Sequence, residues 1–314
     1  MTDSGNDWLR RDLGAGWSML DSGYNRPGHT AIYICVDDGK ALVYDAAHTA
    51  SAERVVAALA ERGVAPDAVE LVVVSHAHLD HSGGCGALLK LLPHAKAMVH
   101  PDIIEHLAEP ARLIEGARQI YGGDFDRLYG EIAPTPRDRI VAFEEAVKLG
   151  GRELALFNTP GHTFAHLCLH DPQAGVLLAG DVFGAHLPHW NGTMVVPAAP
   201  TQFAPREWKA SVDAIMARAP ERILLAHFGV LDSDLEGKAQ QLRDEIDHFV
   251  AIAREAKEQG GDRDFIADRV MAWWEPKFKQ AGAAVDRDEV GVELLLTVKG
   301  LALWLEKHLE TYAP

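Results

Sequence analysis

Leu71-Val72-Val73-Val74-Ser75-His76-Ala77-His78-Leu79-Asp80-His81 is the stretch that decides the fold. LVVV is a short β-branched run and reads as a buried strand. Four side chains of metal-ligand type follow it at once: His76, His78, Asp80 and His81. Positions 76, 78 and 80 share parity on an extended backbone while 81 does not, so the four cannot share one strand face. Ser82-Gly83-Gly84 is expected to let the chain reverse there, with His76 and His78 facing one ion and Asp80 and His81 its neighbour. A lone histidine at a strand end is ordinarily a satisfied core residue, but four ligand-type side chains within six residues are not explained by packing.

Working outward, three more predicted strands end in the same way. Glu153–Phe157 (ELALF) leads through Asn158-Thr159-Pro160-Gly161 to His162, Val176–Ala179 (VLLA) through Gly180 to Asp181, and Ile223–Ala226 (ILLA) to His227. In open α/β sheets, functional groups gather where strands end and loops converge. Neutral imidazoles and carboxylates suit zinc, with iron or manganese as alternatives. A carboxylate able to bridge two ions is the natural role for Asp181. Two ions so placed generate a hydroxide nucleophile and stabilise a developing oxyanion. Asp80, a ligand with a spare oxygen, is the candidate catalytic residue that steers the nucleophile or takes its proton.

The rest of the chain is consistent with an α/β protein. Ala31–Val36, the turn Asp37-Asp38-Gly39-Lys40 and Ala41–Tyr44 read as a hairpin. Ser51–Arg62 reads as a helix stopped by Gly63, and Gly84–Leu92 as another ended by Pro93. Ala97–Val99 and His166–Leu169 read as short strands, and a helix is expected from Pro101 to about Ala108. Arg112–Arg139 is polar and weakly periodic, helical in part over Arg112–Tyr121. Helices are expected at Leu242–Glu258, Phe265–Trp274 and Val292–Leu309. The expected division is therefore a catalytic domain over 1–231 and a helical appendage over 232–314.

Composition narrows the function classes. The 314 residues carry a formal net charge of -16, with 47% hydrophobic and 24% charged residues. Such a surface repels phosphate backbones and anionic lipid heads, which speaks against nucleic acid and membrane as partners. No apolar run approaches the ~20 residues that span a bilayer, and the start, MTDSGNDWLRRDLG, has no signal-peptide pattern. Cys35, Cys85 and Cys168 are odd in number and scattered, so they read as buried thiols of a cytoplasmic protein. His186 and His189, soon after Asp181, read either as substrate contacts or leaving-group acids, or as ordinary loop histidines. His100 is open in the same way. Trp273, Trp274, Phe278 and Trp304 in the tail read as helix packing or a homodimer face, or as the lining of an acyl or aromatic pocket.

The H-x-H-x-D-H segment, Thr159-Pro160-Gly161-His162, Gly180-Asp181 and the late His227 resemble the metallo-β-lactamase superfamily, in its motif order over about residues 30–230. The resemblance implies a four-layer αββα sandwich with a dinuclear site at one edge. It implies His76, His78 and His162 on one ion, Asp80, His81 and His227 on the other, and Asp181 between them. Asp45, after ALVY, resembles the aspartate that supports this site, and from the residues alone it is equally readable as a turn or N-cap carboxylate. The H-x-H-x-D-H pattern argues against the true β-lactamases. His78 departs from the glutamate of the flavodiiron branch, and no basic cluster favours the nucleic-acid-processing branches. The helical tail resembles the branch of glyoxalase-II-like and quinolone-signal thioesterases. The expectation is a hydrolase with two divalent ions acting on a thioester or lactone of a small molecule. The alternatives are a di-iron redox or gas-sensing protein, a phosphodiesterase, or a non-catalytic regulator.

Overall fold

β-branched and aromatic residues alternate with glycine-bearing turns over residues 10–180, and they form two sheets. The structure is a computed structural model and describes residues 10–198 and 202–308. The sequence readings at the first nine residues and at Leu309 lie outside the described residues. The chain divides into two compact units, the first comprising residues 1–158, 165–180 and 226–228, the second 159–164, 181–225 and 229–314.

In the first unit, a seven-stranded sheet runs in chain order: β1 (Arg10–Gly14), β2 (Trp17–Asp21), β3 (Ala31–Asp37), β4 (Lys40–Tyr44), β5 (Val69–Val73), β6 (Lys96–Val99) and β7 (Ile140–Ala142). β1 to β4 pair antiparallel. The β3–β4 turn pairs Asp37 with Lys40, and its two central residues, Asp38 and Gly39, both have positive φ, at 48° and 73°. That geometry matches the twist of the flanking strands, so the expected hairpin closes tightly. From β4 to β7 the pairing is parallel, which requires a crossover between successive strands. α1 (Ser51–Glu61) makes the first crossover, and α2 (Leu79–Ser82) with α3 (Cys85–Leu91) the second. The third contains α4 (Ile104–Ala108), α5 (Ala111–Tyr121) and α6 (Phe125–Tyr129). Val55 and Leu59 of α1 and Leu88 and Leu89 of α3 share a buried core with Ile32, Ile34, Val43 and Val72 of the sheet.

The second sheet of this unit is antiparallel: β8 (Ala146–Leu149), β9 (Arg152–Asn158), β10 (Leu167–Asp171) and β11 (Val176–Leu178). Hydrogen bonds tie it to the first sheet. The Tyr44 hydroxyl donates to Leu167 O at 2.7 Å, Leu167 N to Ser75 O at 2.7 Å, and Trp17 Nε1 to Asp171 Oδ2 at 2.8 Å. Three buried thiols lie in the first unit, and burial pushes Cys35 up to about 12 and Cys85 up to about 11. Protonated thiols are poor ligands, as expected for packing residues.

The second unit contains α7 (Pro205–Met216), the antiparallel pair β12 (Arg222–Leu224) and β13 (Val230–Leu231), then α8 (Leu235–Gln259), α9 (Arg263–Gln280) and α10 (Gly291–His308). α8 starts seven residues before the expected Leu242 because Asp234 caps it, accepting from Gly237 N at 3.3 Å. α9 is capped by Asp262, which accepts from Phe265 N at 3.0 Å. The helices close around Glu245, which is fully buried and accepts from Val196 N at 2.9 Å, from Trp274 Nε1 at 3.0 Å and from Lys277. Trp274, Phe278 and Trp304 are buried, with Phe278 edge-on to Trp190 and Trp304 edge-on to Phe203. The Trp273 ring stacks on that of His248 at 4.0 Å and lies 4.7 Å from the Lys277 ammonium. These aromatic rings pack the helices together. No helix among the described residues is long and apolar enough to cross a membrane.

Candidate metal centre

Asp45 follows directly on β4, with a left-handed backbone (φ 65°) and a fully buried side chain. A non-glycine residue in this region stores strain, which persists only where the surroundings over-determine it. Here they do. Oδ1 accepts from Ser75 N at 2.7 Å, and Oδ2 accepts from Ser75 Oγ at 3.0 Å and from His81 Nδ1 at 3.1 Å. Asp45 is therefore neither an N-cap nor a turn carboxylate.

These bonds fix two imidazole tautomers. Both Asp45 oxygens accept, so His81 Nδ1 carries the hydrogen and Nε2 carries a lone pair. The Ser75 hydroxyl hydrogen is directed to Asp45, so Ser75 Oγ accepts from His76 Nδ1 at 3.0 Å. His76 Nε2 is then also a lone pair, and it faces His78 Nδ1 at 2.9 Å. β5 ends at Val73, so His76 and His78 lie on the chain after the strand and the expected parity argument does not govern them.

Asp80 and His81 belong to α2, a single helical turn. The expected reversal at Ser82-Gly83-Gly84 does not occur: both glycines have right-handed helical φ and lead from α2 into α3. The structure shows why Gly84 is a glycine. A Cβ there would sit 2.3 Å from Ala46 O and 2.5 Å from His48 O, so α2 can lie this close to the β4–α1 turn only without a side chain.

His227 is placed by backbone pairing on both sides of its own segment. Ala31 N donates to Ala226 O at 2.8 Å, and Ala226 N to Gly180 O at 3.3 Å. Its Nδ1 lies 3.3 Å from His29 O. A carbonyl only accepts, so Nδ1 bears the hydrogen and Nε2 the lone pair. Both lone-pair nitrogens, His81 Nε2 and His227 Nε2, lie 3.5 Å from Asp80 Oδ2. The ligand atoms of Asp80, His81 and His227 all lie within 4.8 Å of one another. Three acceptors converge, and a divalent cation is the group that satisfies all of them at once. The donor set therefore fits a metal.

In the second unit His162 Nε2 lies 3.3 Å from Asp181 Oδ2, with both residues buried. His162 packs edge-on against Trp208 of α7, at 5.4 Å between ring centroids. Gly161 makes this possible, because a Cβ there would sit 2.2 Å from Trp208 Cα. The glycine before Asp181 has its own reason. In the first unit a Cβ on Gly180 would lie 2.4 Å from His166 Nε2, and the His166 ring is in turn 5.1 Å from that of His76.

The structure thus groups Asp80, His81 and His227, pairs His76 with His78, and pairs His162 with Asp181. The other candidate histidines have separate settings. His100 Nδ1 accepts from Asp102 N at 3.2 Å, capping a short helical turn, and its ring stacks on Phe143. His189 is partly exposed, 3.6 Å from Glu289. His186 is half-buried, and burial, then the Lys238 charge, hold its pKa below the ordinary imidazole value. His29 was missed by sequence reading. It acts through its carbonyl, which any residue possesses, so its side chain gave no signal.

The family model described as the metallo-beta-lactamase superfamily matches residues 25–227. A chicken (Gallus gallus) acyl-coenzyme A thioesterase, MBLAC2, is 29% identical over 126 residues, which are 36% of this chain and 41% of that protein. The metallo-beta-lactamase fold-containing protein ST1585 of Sulfurisphaera tokodaii is 28% identical over 171 residues, 52% of this chain and 62% of that protein. The chain thus spans about two-fifths to three-fifths of the length of these two relatives. Among solved structures, the metallo-beta-lactamase family protein TTHA1429 of Thermus thermophilus superposes with a TM-score of 0.68 at 18% identity, covering 94% of this chain and 95% of that one. The fold is accordingly the α/β metallo-β-lactamase sandwich with a C-terminal helical region. With ligand-type residues at the ends of its strands and the family model matched from residue 25 to its last histidine of the set, the chain belongs to the metallo-β-lactamase superfamily.

Proposed function

We propose that the chain is a metal-dependent hydrolase that cleaves an ester-like bond, a thioester or a lactone, of a small molecule. The observation that carries the metal reading is the convergence of two imidazole lone pairs on Asp80 Oδ2, each 3.5 Å away. Asp80, His81 and His227 would hold one ion. His76 and His78, with His162 from the second unit, would hold another, and Asp181 would lie between the two. The ligand chemistry of these four residues supports that set, because each pair alone is too small for a tetrahedral zinc site. The division into a catalytic part over 1–231 and a helical appendage over 232–314 belongs to the same reading, as do a small molecule rather than nucleic acid as the partner and zinc as the first choice of metal.

Divalent ions bound there would supply Lewis acidity and a water acidified to a pKa of about 7. The chain's own residues do the rest. Asp45 and the His29 carbonyl keep the ligating nitrogens unprotonated. Asp80, whose Oδ2 faces His81 and His227, would take the proton of the attacking water on its other carboxylate oxygen. The thioesterase named among the relatives favours the thioester over the lactone.

A panel of acyl-coenzyme A thioesters, lactones and phosphodiesters, assayed with metal-loaded wild type and Asp80→Ala, tests the proposal. Turnover on one ester class, lost in the variant, is the expected result. Metal-loaded wild type with no turnover on any of them overturns it. Strong visible ligand-to-metal absorption with oxygen consumption would point to the di-iron reading instead.

A further inference from the structure

The loop between β2 and β3, residues 22–30, is tied down more heavily than its length requires. Asp21 accepts from Gly23 N at 2.9 Å and from Gly28 N at 3.0 Å. Ser22 Oγ accepts from Tyr24 N at 3.1 Å, and Ser22 N donates to Thr30 O at 3.0 Å. The loop delivers one group to the candidate centre, the His29 carbonyl that accepts from His227 Nδ1.

Within the loop Tyr24 is buried, and its hydroxyl donates to that of Tyr129 on α6 at 2.9 Å. The two phenols lie in a cluster with Leu79, Phe125 and Leu128, and the Tyr121 hydroxyl is in hydrogen-bond contact with both. A hydroxyl in such surroundings is costly unless it is hydrogen-bonded, so the pair holds together. The Tyr24 ring meets the His29 ring edge-on at 5.3 Å, and the His29 ring meets the His227 ring at 5.2 Å and 90°. A continuous contact path therefore runs from the Tyr129 hydroxyl to a metal ligand.

We infer that Tyr24 and Tyr129 are positioning residues for His227: their hydroxyl pair locks the 22–30 loop, and the locked loop fixes the carbonyl that selects the ligating nitrogen. The inference rests on the two-ion reading above. Burial, and next the Asp80 charge, hold both phenols above their ordinary pKa, so they remain hydrogen-bond donors across the working pH range. The helical cover α5–α6, which has no motif, thereby takes part in metal binding through Tyr129.

The test is titration of metal-free full-length protein with Zn²⁺ alone, in competition with a chromophoric chelator, for wild type, Tyr24→Phe, Tyr129→Phe and the double variant. Cobalt(II) loading gives the spectrum of the second site. In each variant the first equivalent binds as in wild type, the second binds about 10-fold more weakly, and the cobalt spectrum of the second site changes. The double variant is weaker than either single one but by less than the product of their effects, because the two singles share one bond. A role confined to stability would lower Tm and leave the second constant and the spectrum untouched, and that result in either folded variant overturns the inference alone. Wild type that takes up fewer than two equivalents overturns the two-ion reading and this inference together.

Discussion

The sandwich of the first unit has a buried polar cluster at each end, and the two are balanced differently. At the hairpin end, Arg152 lies 3.2 Å from Asp37 Oδ1 and 2.5 Å from Asp171 Oδ2. Trp17 Nε1 donates to the same Asp171 oxygen, while Asp171 Oδ1 accepts from Gln173 N and Ala174 N, each at 3.1 Å. Carboxylates there meet a cation and donors that the chain itself provides. At the other end Asp45 is equally buried and accepts three hydrogen bonds, yet these turn His81 Nε2 outward as a lone pair toward Asp80. One end is electrostatically complete. The other turns two imidazole nitrogens toward one carboxylate oxygen, the arrangement that the proposed external cation would use.

Removing that cation separates the ends most sharply. Dialysis against a chelator should reduce ester-bond turnover to background, and zinc should restore it. Far-UV circular dichroism should be unchanged, and the Tm should fall with the loss of ligand stabilisation, about 2.7 kcal/mol at free metal 100-fold above the dissociation constant. Full turnover by metal-free protein would break the contrast. Next in size, Arg152→Ala strands the fully buried Asp171 without its cation. It should cost about 3–5 kcal/mol by urea unfolding and leave the zinc stoichiometry of the folded protein at the wild-type value. A variant that folds but no longer takes up zinc would show that the ends are not independent.

Asp45→Asn is the matching change at the site end. It keeps the shape but offers only one accepting oxygen to Ser75 and His81, so zinc affinity should drop about 10- to 100-fold. Equilibrium dialysis checks this. The smallest effect concerns His48, whose Nδ1 lies 2.7 Å from Ser51 Oγ and whose pKa is lowered by burial, and then by the Arg54 charge, from 6.5 to about 4. The unfolded chain takes up this proton below pH 6.5 while the folded chain resists until about pH 4. The stabilisation is therefore complete above the upper value, declines as pH falls through the window and is lost below it. In His48→Gln the Tm should depend less steeply on pH across that window, and an unchanged slope would assign the acid sensitivity to other groups.

What the sequence made legible follows the same division. β5, β9 and β11 were readable because buried strands demand β-branched and aliphatic runs. Gly161 and Gly180 stood out as parts of motifs, although their reasons, the backbone of Trp208 and the ring of His166, are visible only in three dimensions. β1 and β2 were not readable. RRDLG is mostly exposed, and WSMLD buries every residue including Ser18 and Asp21, so neither shows a clean alternation. α7 went unread because its apolar positions are sparse among charges, although Trp208 and Val212 are fully buried. The roles of His29 and Tyr129 were hidden for a different reason. One acts through a backbone carbonyl and the other through a contact with a residue 105 positions away.

Asp45 has a further consequence. The same carboxylate orients His81 directly and His76 through Ser75, and these two histidines belong to different ions in the proposed assignment. Orienting one therefore helps to orient the other, and filling either site lowers the ordering cost that remains for its neighbour. The two sites should accordingly be coupled, each ion raising the other site's affinity by the same factor, and the two constants of the zinc titration read that coupling.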